Sequence, residues 1–144
     1  MKKLLPCLVV LAFIVVLAPS AAQDGYKVIV HRDSAVASLS KDDASDMLLK
    51  KKSRWDDGSP VVSVDLDAKS EVRATMSRDL HGRSVSSIKN YWQRQIFSGR
   101  EVPPTELPDD RAVIAFVASN PGAIGYVSSG VALTSDVKTV TITE

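Results

Sequence analysis

The chain has 144 residues, 44% hydrophobic and 24% charged, which matches soluble globular proteins and excludes collagen-like, coiled-coil and wholly disordered classes. Its formal charge is +1, and without Lys2 and Lys3 it holds 16 basic against 17 acidic residues. Net charge therefore points to neither nucleic acid nor an anionic membrane as a partner.

Residues 1–22 read as a secretory signal: Lys2 and Lys3, an apolar stretch from Leu4 to Ala18 broken only by Pro6 and Cys7, then small residues Ser20 and Ala22 before Gln23. The apolar run falls short of the roughly 20 residues that span a bilayer. Cleavage is expected near Gln23, with export to the periplasm or beyond. The alternative is an uncleaved segment, and membrane contact is expected only through it. Residues 23–144 then form one domain of 122 residues, too few for two full lobes. The only cysteine, Cys7, lies in the leader, so disulfides, thiolate metal sites and cysteine nucleophiles are excluded from that domain together.

Tyr26 to His31 is a short run with β-branched residues suited to a buried strand. Ser40 followed by Asp43 predicts a helix start, and Ala44, Met47 and Leu48 recur at helical spacing. A helix of about three turns is expected, with Asp42, Asp43 and Asp46 early and Lys50, Lys51 and Lys52 late. The turn cluster Trp55 to Pro60 leads to a second strand, Val61 to Leu66. Ser70 is a plausible N-cap for a helix to about Leu80, closed by His81-Gly82. Ser84 caps a third helix with Val85, Ile88, Trp92, Ile96 and Phe97, stopped at Ser98-Gly99.

Glu101 to Pro108 contains three prolines and predicts an ordered loop or lid without regular hydrogen bonding. Asp109 or Asp110 opens a helix burying Val113, Ile114, Phe116 and Val117, ended by Asn120-Pro121-Gly122. Ala123 to Val127 and Val137 to Ile142 read as strands. Helices alternating with short apolar strands predict an α/β sandwich on a mostly parallel sheet. Charge is uneven along it: Lys69 to Arg100 has seven bases and two acids, whereas Glu101 to the end has six acids and two bases. Solvated helix faces explain this, and an anion-attracting face on the middle helices is the alternative.

Three stretches in order carry a resemblance. Ser38-Leu39-Ser40, Met47 to Lys51 and Arg54-Trp55-Asp56-Asp57-Gly58-Ser59-Pro60-Val61 form the first. Tyr91-Trp92, Ile96 to Gly99 and Pro103-Pro104 form the second, and Asn120-Pro121-Gly122-Ala123-Ile124-Gly125-Tyr126-Val127 the third. Over roughly Tyr26 to Val127 the chain resembles the phosphate-binding solute receptors of ABC transporters, the middle stretch being similar to small stand-alone members of that superfamily. The resemblance implies an α/β fold: one lobe of the type 2 periplasmic binding fold, with a mixed, mostly parallel sheet flanked by helices. Trp55 would plug one end of the sheet, and Gly122 and Gly125 would let the backbone pass close to its neighbours.

Receptors of this family hold a desolvated oxyanion with an Arg and a Ser-Gly-Thr sequence after the second strand, using hydroxyls and backbone N–H groups at a helix N-terminus. Ser70 stands at the serine position, Glu71 and Val72 occupy the Gly-Thr positions, and Arg73 offers a cation one helical turn on; the preceding strand has no Arg. Ser70, Glu71, Val72 and Arg73 are therefore the ligand-binding candidates, for phosphate or another small oxyanion. Read from the residues alone, the simpler roles are Ser70 as a plain N-cap and Arg73 as a surface partner of Glu71 or Asp67. The family clamps its ligand between two lobes, so a single lobe offers half a cleft.

No motif supports catalysis, and no enzyme activity, cofactor or metal site is expected. His81 reads as a helix C-terminal cap favoured by the dipole, and His31 as exposed at a strand edge. Asp65 and Asp67 are expected to be exposed and not to form an acid/base pair. Two functions follow: a solute-binding-like module that works with an ABC transporter permease, or a ligand-free accessory module that binds another envelope protein. The second would use the proline loop with Trp92 and Phe97 as its contact surface.

Overall fold

The computed structural model of the protein describes residues 25–144, and the expected leader and its cleavage point lie outside them. Strands β1 (Tyr26–His31), β2 (Ser38–Ser40), β3 (Val62–Leu66), β4 (Thr105–Leu107), β5 (Ala123–Ser128) and β6 (Val137–Thr143) form one sheet in the order β2-β6-β1-β5-β3-β4. Pairings β2 to β6, β3 to β5 and β3 to β4 are parallel, while β1 is antiparallel to both neighbours. One strand thus runs against the other five. Its loop, residues 32–37, therefore emerges at the end where β3 and β5 begin.

Helices α1 (Lys41–Leu48), α2 (Glu71–Met76), α3 (Val85–Phe97) and α4 (Asp110–Ser119) start where the capping residues predict. The side chains of Ser40, Ser70, Ser84 and Asp109 accept from the backbone N–H three residues on, each satisfying a donor that a helix start leaves free. Helix α1 is shorter than expected. Leu49 is drawn into a small cluster with Ile88 and Trp92, and Lys50 turns to φ 56°, so Lys50, Lys51 and Lys52 fall beyond the helix end. Helix α2 runs on through a π turn, Ser77–His81, that Gly82 stops at φ 64°.

Both sheet faces are covered. Val28, Ile29 and Val30 of β1 and Ala123, Ile124, Tyr126 and Val127 of β5 are buried, giving the continuous apolar runs of a two-sided sheet. Helix α4 lies on one face, where a Cβ on Gly125 would meet Val113 at 2.9 Å and Val64 at 3.0 Å. Asp65, Tyr126 and Tyr26 face the other side, where α2 and the π turn sit: Tyr26 donates to Asp79 and Asp65 faces Arg73. Trp55 closes the end where β3 begins, its Nε1 donating to Gly122 O at 3.0 Å. A Cβ on Gly122 would lie 2.5 Å from Pro60 O, the close approach expected of that glycine.

Two expectations are corrected here. The proline segment is not wholly irregular: Thr105–Leu107, between Pro104 and Pro108, pairs in parallel with β3 as an edge strand. Prolines bound the strand without interrupting it, so its own donors and acceptors stay free for the ladder, as where Asp67 N donates to Leu107 O. On α3, only Ile88 and Trp92 are buried, whereas Ile96 and Phe97 are exposed, Phe97 at 89%. Trp92 therefore does not belong to a contact surface.

Candidate functional site

Strand β3 ends at Leu66 and the chain reverses through Asp67, whose carboxylate accepts from Lys69 N and whose carbonyl accepts from Ser70 N. Ser70 is extended, and its Oγ accepts from Arg73 N at 3.2 Å. Glu71 is exposed beside it, and Val72 packs against the core edge. Of the four candidate residues, Ser70 and Arg73 are brought together only through this cap.

Arg73 is not the surface residue that one reading allowed. Its side chain is 3% exposed, and its guanidinium turns inward. Nη2 lies 3.3 Å from Asp65 Oδ2, and Nη1 donates to Glu106 Oε1 at 2.7 Å and to Leu66 O at 2.8 Å. Asp65, expected to be exposed, is buried, and its Oδ1 accepts from Leu66 N and from the Tyr126 hydroxyl. The strand register explains the arrangement. Asp65 of β3 and Glu106 of β4 are register partners on adjacent strands, where like charges repel unless a cation lies between them.

Burial pushes the Asp65 carboxyl above its ordinary value, while Arg73, the Tyr126 hydroxyl and Leu66 N hold the rise back. Burial opposes the charge on Arg73, but Asp65 and Glu106 outweigh it and raise its pKa. Burial, reinforced by Asp65, likewise raises the Tyr126 hydroxyl. The result is a charge-paired cluster at the end of the sheet from which α2 starts. Its chemistry is positional: the guanidinium locks β3, β4 and α2 to each other, and its donors on these partners are already engaged. No buried side-chain polar atom among the described residues lacks a partner.

The histidines also differ from expectation. His31 is buried, and its Nδ1 accepts from Asp33 N at 3.1 Å. His81 ends the π turn, but its Nδ1 shares a 2.7 Å hydrogen bond with Ser45 Oγ of α1. Burial first, then Arg73, Lys51 and Arg83, lower its pKa to about 4, so it is a neutral tertiary contact rather than a charged cap. Among the described residues no group of three or more His, Cys, Asp or Glu is placed to hold a metal ion, and no helix is long and apolar enough to cross a membrane.

Sequence reasoning passed over Asp65, Glu106 and Tyr126. The available signal was Asp65 itself, a carboxylate inside the apolar run Val62–Leu66 with an arginine eight residues on. Glu106 gave none, because its proline-rich surroundings hid the strand.

No protein-family model and no curated protein matches the sequence. Solved structures do match. A Clostridium perfringens protein assigned as a phosphate ABC transporter substrate-binding protein, solved with bound phosphate, aligns over 82% of this chain with TM-score 0.66 and 20% identity. An ABC-type phosphate transport receptor from Vibrio cholerae aligns over 82% with TM-score 0.65 and 17% identity. PstS from Borrelia burgdorferi aligns over 83% with TM-score 0.58 and 15% identity. The chain spans 44%, 46% and 47% of those proteins respectively. It therefore has the fold of a single lobe of such a binding protein, as the sequence resemblance implies.

Proposed function

We propose that this chain is an exported solute-receptor-type lobe that takes a small oxyanion of the phosphate class weakly and serves an ABC transporter permease. The observation that carries the reading is the alignment of most of this chain with under half of proteins described as phosphate receptors. Half a cleft holds an anion by fewer contacts than a closed clamp, and a partner surface or second copy would complete it. The contacts would come from the segment around Ser70, with Glu71 and Val72 lining the approach and Arg73 beneath. Export rests on the leader-like first 22 residues, and the reading involves no catalysis.

One observation favours a second reading, a ligand-free interaction module of the envelope. Arg73 is already engaged by Asp65 and Glu106, and Glu71 places an exposed carboxylate where an anion would approach. Calorimetry with phosphate and sulfate separates the two. Heat that saturates in the millimolar range, lost in Ser70→Ala, supports solute binding. Absence of heat, together with capture of a stoichiometric envelope partner, supports the interaction module.

A further inference from the structure

A cavity of about 790 Å³ opens at the opposite end of the sheet from α2, where β1 ends and β3 and β5 begin. Its size falls in the range of roughly 300–1,000 Å³ typical of small-ligand sites. We infer that this cavity is a binding site for a small organic ammonium ion with an apolar body.

The floor is apolar and fixed by the core: Leu39, Met47 and Trp55 are buried in the main cluster, and Val36 packs against it. Trp55 cannot turn away, because its indole N–H is held by Gly122 O. The wall thus offers an aromatic ring and a thioether to an apolar or cationic group. The rim is acidic. Asp33, Asp56 and Asp57 line it, and no Lys, Arg or His does.

Charge complementarity decides the ligand class. Asp33 and Asp56 are 72% and 98% exposed at the side chain and make only long ion pairs, Asp33 with Arg32 at 3.7 Å and Asp56 with Lys52 at 3.6 Å, with His31 Nδ1 3.8 Å from Asp33; none is within hydrogen-bond distance. Their carboxylate oxygens remain open to a donor. Three of the lining donors are spent within the protein, Trp55 on Gly122 O, Ser59 on Asp57 and Asn120 on Phe116 O, while the Ser34 and Ser38 hydroxyls, which both donate and accept, discriminate neither sign of charge. An anion entering here meets carboxylates, whereas an ammonium meets acceptors above an apolar floor. The cavity lies across the sheet from Ser70 and Arg73, so this site stands or falls independently of oxyanion binding.

The test compares two probes of like shape and opposite charge, phenethylammonium and 3-phenylpropanoate, by calorimetry and amide NMR of the chain. Phenethylammonium should bind with shifts at Val36, Leu39 and the Trp55 indole, and 3-phenylpropanoate should bind more weakly. Asp33→Asn and Asp56→Asn should each weaken phenethylammonium roughly two- to fivefold without moving the unfolding midpoint, since both side chains are exposed. Ala35→Trp, at an exposed position on the cavity wall, should block it. Equal affinity for the two probes overturns the charge assignment. No phenethylammonium binding up to tens of millimolar, or shifts confined to the Ser70 end, overturns the site.

Discussion

The Arg73 guanidinium lies 3.3 Å from the Asp65 carboxylate, in a pair that leaves only 3% of the arginine and 12% of the aspartate side chain exposed. Eight residues separate the two in sequence, and the turn at Asp67 to Ser70 folds one back under the other. Two charges taken from water need each other more than they favour the fold. Their desolvation cost is offset only while both are present and hydrogen-bonded.

Arg73→Met should therefore destabilise the protein by about 3–5 kcal/mol at neutral pH, because Asp65 and Glu106 are left side by side without their cation. Arg73→Met combined with Asp65→Asn should recover much of that loss. Urea denaturation of the two single variants and the double variant measures the coupling, and additive losses would contradict it.

Stability should fall as pH drops from about 6.5 towards 4. His81 is lowered to about 4 in the folded chain against an ordinary value of 6.5, so the unfolded chain binds the extra proton first. The neutral ring's contribution is complete above pH 6.5 and is lost progressively below it, to a total of about 3 kcal/mol. Unfolding midpoints across this window should show the slope in the natural chain. His81→Phe should flatten it.

Gly122→Ala should cost about 1–3 kcal/mol, since the new methyl group meets Pro60 O, a backbone atom that cannot rotate away. Trp55→Phe should cost less at the same junction, about 1 kcal/mol for the lost N–H bond, because Gly122 O still accepts from Val62 N. Thermal unfolding of the two variants gives the ranking directly.

Phe97 and Trp92 lie on one helix with opposite consequences. Phe97→Ser should change stability by no more than about 0.5 kcal/mol, whereas Trp92→Ala should cost about 3–5 kcal/mol through loss of the contacts with Leu49 and Ile88. Denaturation midpoints distinguish the two, and a large loss in Phe97→Ser would mean that its exposed face is covered in solution.

Helix starts were legible because a cap is local. Ser40, Ser70, Ser84 and Asp109 each bond the N–H three residues on, and nothing distant need be known to predict it. Glycines 122 and 125 were legible for a similar reason, since small residues beside an apolar run announce a close approach. Strand β4 was not, because three residues between prolines have no period to read. Its existence depends on β3 offering a free edge.

The candidate site shows the same division. Ser70 as a cap lay in the sequence, but whether Arg73 faced water or the interior did not. The distant partners, Glu106 and Tyr126, lie 33 residues from Arg73 and 61 from Asp65.

What the sequence by itself determined is the order of the helices and longer strands and the N-caps of those helices, all set by local backbone chemistry and apolar spacing. Only the tertiary structure decided which charges are spent and which are open. It pairs Arg73 with Asp65 and Glu106, holds His81 neutral, and gathers Asp33 and Asp56 over the Trp55 cavity. The physical reason is that a charge's state depends on how much water it keeps and which partner replaces the rest. That is a property of the packed surroundings rather than of neighbours in the chain.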